Sequence, residues 1–547
     1  MQMKIKYVAL ACLALTKMSS VYAQKNTETL SKVWVSDLGN GSYKNPIIYA
    51  DYSDPDVCRV GKDYFMTASS FNCIPGLPIL HSNDLVNWKL VNYALPKQPP
   101  VETYDKIQHG NGVWAPCIRF HSEEYYIFYP DPDFGIYMTK TKNPYGKWSE
   151  PVLIKAAKGI IDPAPFWDED GKAYLGYALA GSRAGTKSVL MLCSIDPVTC
   201  MANDDEVLLF DGHKNHTTVE GPKFYKRNGY YYVFAPAGGV ATGWQLILRS
   251  KSIYGPYEEK VVLEQGKTVV NGPHQGAWVD TVTGEDWFIH FQDQGAYGRV
   301  VHLNPMSWKN DWPVMGVDND KNGIGEPVMT FKKPNVNGQY PLATPPDSDE
   351  FNEPVQGLQW QWHANKQLVW GYPSAGMGYF RLNCIPKPAD FKSLWQVPNI
   401  LAQKFPAEEF MATSKITFTP NFDNEQFGLV VMGRSYSSLT VKQINGQLKL
   451  MQLSAAKADK GAIETATEIA TLTNNTFYFR VTVQKGGKCQ FYYSLDDKKY
   501  LKAGSEFIAS EGTWIGSKVG FVALREGTIN NAGYADVDWF RVSKIEK

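Results

Sequence analysis

The chain of 547 residues predicts an all-β protein, a five-bladed β-propeller followed by a jelly-roll-like C-terminal β-sandwich. Three observations carry that expectation. Aromatic residues make up 13% of the chain, with 46 Gly and 33 Pro, a composition that favours short strands and tight turns over helices. A hairpin pattern recurs five times before residue 316. After a Pro-rich acidic stretch, the remaining chain alternates apolar and polar residues with the period of strands.

The first element is a targeting segment. Lys4 and Lys6 precede the apolar run "YVALACLAL", and "VYA" at 21 to 23 places small residues where a signal peptidase cuts. Residues 1–23 therefore read as a signal peptide and imply export, with the periplasm as the expected compartment. Release to the medium is one alternative; a lipid anchor on Cys12 is another, although Ala9 stands where a lipobox usually has Leu. The run is too short to span a bilayer, and no later stretch reaches the roughly 20 apolar residues of a membrane helix. Removing Lys4, Lys6 and Lys17 from a chain of 55 basic and 55 acidic residues leaves 52 against 55, a net charge of −3. Such a balance offers no surface for a polyanion, so nucleic acid is not an expected partner. Seven of the 8 cysteines remain after cleavage, at spacings unlike a zinc site. Cys193 and Cys200 could close a small loop, whereas Cys58 and Cys117, inside apolar strands, read as buried thiols.

Residues 24–340 hold the repeats. Each copy runs from a polar or aromatic residue beside Pro or Gly into a short apolar strand, a charged or Gly turn, and an aromatic strand: "DPDVCRVGKDYFMTAS", "WAPCIRFHSEEYYIFY", "DPAPFWDEDGKAYLGY", "EGPKFYKRNGYYYVFA" and "HQGAWVDTVTGEDWFIHF". The second-strand aromatics Tyr64, Tyr126, Tyr174, Tyr231 and Trp287 are spaced by 62, 48, 57 and 56 residues. Four copies carry a further aromatic about 25 residues on, Trp88, Trp148, Tyr257 and Trp312. Each unit has the length and strand signals of a four-stranded blade, and five such units make a propeller. A (β/α)₈ barrel would need helical patterns between the strands, and none is present. The stretch "YPLATPPDSDEFNEP" contains the linker, 341–353. Alternating segments such as "TFYFRVTVQ" then predict a sandwich over 354–547.

In a propeller the first strand of each blade lines the central axis, so the residues that open these strands meet at one mouth of the tunnel. The occupants are Asp54, Trp114, Asp162, Glu220 and His274. Asp131 and Asp133 in "YPDPDFG" resemble the Asp54 motif but follow an aromatic strand, so they read as a loop. Three carboxyls without a dense set of further oxygen ligands suit acid/base work on a neutral substrate. Glycoside hydrolysis needs one carboxyl to protonate the leaving oxygen and another to activate water or attack the anomeric carbon. A free Glu near 4.3 must rise by about two units to hold its proton near neutrality, roughly 3 kcal/mol, and a third carboxylate can contribute by repulsion.

The segments "DPDVCRVGKDYFMTASSF", "SNDLVNW", "WAP", "IDPAPFWDEDGKAYL" and "VEGPKFYKRNGYYYVFAPAGG" together resemble glycoside hydrolase family 43, inverting exo-enzymes on arabinose- or xylose-containing polysaccharides. The likeness covers about residues 40 to 335, and the tail from "DSDEFNEPVQGLQWQW" to "ADVDWFRV" resembles the sandwich of that family's β-xylosidase-like members. The resemblance implies Asp54 as general base, Glu220 as general acid, and Asp162 as the residue that tunes and orients Glu220. It places Trp114, His274, Arg299 and Phe71 among the substrate-binding residues. It requires no cofactor, and allows a structural calcium ion at the axis beside His274. Where the family often has an aromatic and Pro before the base, this chain reads "YADYSDPD", so Tyr52 and Ser53 are expected to reshape the subsite wall. The implied activity is release of non-reducing-end α-L-arabinofuranosyl units from hemicellulose such as arabinoxylan or arabinosylated xyloglucan oligosaccharides. The alternatives are a β-xylosidase with the same residues and a carbohydrate-binding propeller without turnover. The expected partner is a plant cell-wall oligosaccharide or polysaccharide. For the sandwich, a structural role is preferred over independent sugar binding, with one of its loops closing a side of the pocket.

Overall fold

The computed structural model describes residues 30–528 and 530–545, so the predicted signal peptide and Cys12 lie outside the described residues. Five antiparallel four-stranded sheets follow one another along the chain, each with its strands in sequence order. Blade I runs through Asp56–Val60, Asp63–Thr67, Gly76–Ser82 and Lys89–Leu95. Blades II to V open with Cys117–His121, Ile160–Trp167, Lys223–Arg227 and His274–Asp280. The five-bladed propeller predicted from the repeats is thus present.

The aromatic doublets in the second strands explain how the blades stack. Successive side chains of a strand point to opposite faces, so Tyr125 enters the core between blades I and II while Tyr126 enters the core between II and III. Tyr232 does the same between IV and V, with Tyr231 packed on the III–IV core. A blade is therefore apolar on both faces, and only a closed ring buries them all. In blade IV the hairpin turns at Asn228-Gly229, with φ of 50° and 70°, the left-handed pair that a tight hairpin needs and that Asn and Gly adopt most readily. The ring closes through the fifth core, where Val57, Tyr64 and Met66 of blade I meet Ala277, Trp287 and Ile289 of blade V together with Tyr43 and Ile47. The segment Ser42–Lys44 pairs with Thr330–Lys332 beside that seam.

Two antiparallel-dominated sheets of eight and seven strands form the sandwich. Its alternation is direct: along Thr476–Gln484 the side chains of Phe477, Phe479, Val481 and Val483 all enter the core with Trp360, Phe427, Phe521 and Phe540. Asp349 bridges to Phe540, and Phe351 is buried in the same core. The two domains share structure. Ile74 of blade I and Trp362 exchange backbone hydrogen bonds of 2.9 and 2.6 Å, and Tyr49, Tyr297 and Val300 of the propeller are part of the sandwich core. The seven described cysteines are free, so Cys193 and Cys200 do not close a loop; both are buried in the core between blades II and III, where they act as small apolar side chains. No helix of the described residues is long and apolar enough to cross a membrane.

Candidate active site

The backbone repeats the same anchoring at the axis. In blade II the N–H of Trp114 donates to the carbonyl of Pro130, and in blade IV that of Glu220 donates to Pro236. Glu220 thus hangs from the inner edge of its blade, and Gly221, at φ 56°, turns the chain into the strand. Asp54 and Asp162 occupy the equivalent corners at φ of 53° and 56°. A left-handed conformation costs an L-residue roughly 1–2 kcal/mol, and strain of this kind collects at functional sites.

Asp54 is buried and fixed by three donors. Ser53 Oγ and Ser69 Oγ donate to its Oδ2 at 2.6 and 2.5 Å, and Arg299 Nη1 donates to Oδ1 at 3.1 Å. Arg299 Nη1 also donates to Ser53 Oγ at 2.9 Å. Ser53, the departure from the family pattern, therefore bears on the proposed base itself. Tyr52 does not face the cleft; it is 3% exposed and lies against the propeller–sandwich junction, with Lys404 Nζ 5.3 Å from its ring centroid.

Asp162 Oδ2 accepts the backbone N–H of Gly221 at 2.7 Å, one residue past Glu220. Burial first, and the charge of Glu220 second, push the Asp162 carboxyl up to about 8, with Asp54 adding to the rise and the Gly221 N–H opposing it. Near neutral pH the Asp162 carboxyl therefore keeps its proton. Glu220 is the more open partner, with a side chain 25% exposed and Oε1 2.9 Å from His274 Nε2. His274 is 1% exposed and its Nδ1 has no protein partner.

The residues around His274 do not supply the cage of six to eight oxygens that calcium takes. Among the described residues no three His, Cys, Asp or Glu side chains converge to hold a metal ion, and His274 directs its Nε2 at Glu220.

One wall of the site comes from the sandwich. Asp293, Gly298 and Arg299 of blade V line a cleft of about 400 Å³ together with Arg434, Glu511 and Trp514. The Trp514 ring lies 5.9 Å from that of Trp114 and 5.8 Å from the Arg299 guanidinium. Trp114 is also covered by Arg183 at 5.3 Å and meets Phe71 edge-on at 6.4 Å. Phe71 is buried behind Trp114, and its backbone bridges to Val113. The 511–516 loop is seated closely: a Cβ on Gly110 would fall 2.3 Å from Thr513 Cγ2, so only glycine fits there.

Asp51 ties this wall to the base. Its Oδ1 accepts the backbone N–H of Arg299 at 2.9 Å, and its Oδ2 accepts that of Gly516 at 3.0 Å. One carboxylate thus positions the arginine that touches Asp54 and the loop that carries Trp514. Sequence reasoning missed Asp51, Ser69, Arg183 and Trp514. Trp514 left the only visible signal, an aromatic between glycines in "EGTWIGS" with no apolar strand period around it.

The arrangement can deliver a proton from the Glu220 side and activate water at Asp54. The model of "Glycosyl hydrolases family 43" matches residues 43–313, and that of "Beta xylosidase C-terminal Concanavalin A-like domain" matches residues 348–543. A protein of Xylanibacter ruminicola described as "Putative beta-xylosidase" is 39% identical over 90% of this chain and 88% of its own. A non-reducing end alpha-L-arabinofuranosidase of Bacteroides ovatus is 28% identical over 93% of this chain and 96% of its own. The solved structure of GH43B from the xyloglucan PUL of Bacteroides ovatus superposes with a TM-score of 0.78 at 26% identity, covering 92% of this chain and all of that one.

Proposed function

Because the chain belongs to glycosyl hydrolase family 43, we propose that this glycoside hydrolase is an exo-acting, inverting β-xylosidase on hemicellulose oligosaccharides. The single observation that carries the chemistry is the gathering of Asp54, Asp162 and Glu220 at one mouth, with Asp162 sensing the charge of both others. Glu220, the more exposed of the two neighbouring carboxyls, donates a proton to the glycosidic oxygen as the bond to the anomeric carbon breaks. Asp54 takes a proton from a water that attacks the opposite face of that carbon, so the product sugar leaves with inverted configuration. Asp162 orients Glu220 through the Gly221 N–H and, as a neighbouring carboxyl, favours the protonated acid that Glu220 must present. Arg299 and Trp114 supply hydrogen bonds and a flat face for a pentose.

Exo action is the reading supported by the 511–516 loop, which walls the cleft beside Arg299 on one side. Specificity for xylose is supported by the name of the relative at 39% identity. The second reading, release of terminal α-L-arabinofuranosyl units, is supported by the Bacteroides ovatus relative at 28% identity and uses the same carboxyls. Kinetics on aryl β-xyloside and aryl α-L-arabinofuranoside decide between them. A clear preference for the arabinofuranoside overturns the first reading. NMR of the first-formed sugar tests inversion, and retention of configuration would remove Asp54 from the role of base. The basic-then-apolar start of the chain supports export to the periplasm, which fractionation of cells expressing the full chain would test.

A further inference from the structure

Beneath the Phe71 segment, at the junction of propeller and sandwich, a thiol faces an amine. Cys73 lies between Asp63–Thr67 and Gly76–Ser82 of blade I, and Lys518 opens the sandwich strand Lys518–Arg525. Both are sealed from water, at 1% and 2% exposure. Lys518 Nζ stands 2.9 Å from Cys73 Sγ, close for a nitrogen and a sulfur, with no atom between them.

The surroundings leave few other fates for these groups. The remaining partner of Lys518 Nζ is Gln361 Oε1 at 3.1 Å, and the same oxygen takes Lys404 Nζ at 3.2 Å. Two amines thus share one amide oxygen, and among the described residues neither has a carboxylate within ion-pair distance. Burying an ammonium without a counter-ion is costly, and the usual relief is loss of its proton. Lys404 shows the effect: burial first, and the neighbouring Lys518 second, push it down to about 8. The amine of Lys518 thus faces the thiol with an amide oxygen as its other partner. No disulfide competes, because Cys73 is free.

We propose that Cys73 and Lys518 are a modification site, joined through one oxygen atom into a covalent Nζ–O–Sγ bridge by reaction with dioxygen. The thiol, the amine and O₂ give the bridge and one water. The S–H bond, one N–H bond and the O–O bond break, and the N–O and O–S bonds form. Sulfur and nitrogen each give up two electrons, and the four reduce dioxygen, one atom of which stays in the bridge. The two released hydrogens and the third, from the thiol and amine together, are accounted for by water and the remaining N–H. A thiol reductant reverses the link.

The bridge spans 445 residues of sequence and ties propeller to sandwich. Lys518 follows Gly516, which Asp51 holds, by two residues, so the link pins the root of the loop that carries Trp514. A cross-link closing so long a loop stabilises the folded state chiefly by restricting the unfolded one.

The test is the intact mass of the full-length protein, purified in air and then treated with a thiol reductant under anaerobic conditions. The air-exposed form is expected to carry one more oxygen and two fewer hydrogens than the reduced form. A single cross-linked peptide pair should contain residues 73 and 518. Iodoacetamide should label Cys73 in denaturant only after reduction, and reductant should lower the melting temperature of wild type but not of Cys73→Ser. Lys518→Arg keeps the charge and should abolish the mass change. The proposal is overturned if wild type held in dioxygen-saturated buffer shows Cys73 fully alkylated on denaturation without reductant, or carried as a sulfinic acid. Both readouts are on wild type, stand whether or not the variants fold, and are independent of which sugar the enzyme releases.

Discussion

The Asp162 carboxylate accepts the N–H of Gly221 at 2.7 Å, which places a buried acid directly behind Glu220. The link runs through the backbone, so Asp162 fixes the turn that directly follows Glu220.

Glu220→Gln removes the transferable proton while keeping size and polarity. General acid catalysis contributes about 10²–10⁴-fold, so kcat should fall within that range while calorimetry still detects sugar binding. Activity equal to wild type would take Glu220 out of the mechanism.

Asp162→Asn should separate stability from catalysis. Asp162 is held to about 8 in the folded protein against an ordinary 3.8. Between those values the folded state binds the extra proton, so wild-type stability declines as pH rises from about 4 to 8, and the whole penalty is in place above 8. The asparagine keeps an oxygen for the Gly221 N–H and cannot ionise. The variant should therefore melt above wild type at pH 8.5 and near it at pH 4, while kcat drops by about tenfold or more. A variant less stable than wild type at pH 8.5 contradicts the assignment of the raised group.

Asp51→Asn leaves one acceptor oxygen for two buried N–H groups, those of Arg299 and Gly516. An unpaired buried N–H costs about 1–3 kcal/mol, so the melting temperature should fall at every pH between 5 and 8. KM should rise more than kcat falls, because the loop and Arg299 lose position while the carboxyl pair keeps its chemistry. Unchanged KM and stability would show that Asp51 holds neither.

Truncation after residue 340 strips Tyr49, Tyr297 and Val300 of the core they share with the sandwich and removes Trp514 from the cleft. The fragment should be insoluble or inactive in an expression and activity assay. Trp514→Ala in the full chain should stay folded and raise KM about tenfold, the equivalent of about 1.4 kcal/mol of lost sugar contact. A soluble fragment with full activity would show that the sandwich takes no part in the site.

Much of the fold was legible because the propeller is built from one local unit. The Tyr125-Tyr126 and Tyr231-Tyr232 doublets reveal blades buried on both faces, and Asn228-Gly229 marks a hairpin without reference to anything distant. Asp54, Asp162 and Glu220 were legible for the same reason, since each sits at one position of the repeat, and the repeat carries that position to the axis. Ser53 was visible as an oddity, but its contact with Arg299 joins residues 246 apart in the sequence. Tyr52 was expected at the subsite wall and turns instead into the domain junction, because the neighbouring corner of blade I is covered by the sandwich.

By itself the sequence determined the number of blades, the alternation of the sandwich and the three carboxyls at the tunnel mouth, all of which follow from short-range period and turn chemistry repeated along the chain. Only the tertiary structure decided that Trp514 walls the cleft, that Asp51 clasps Gly516 across 465 residues, and that Cys73 meets Lys518. The reason is physical: a period records which face of its own strand a residue occupies, whereas the docking of one domain on another is set by the shapes of two finished surfaces.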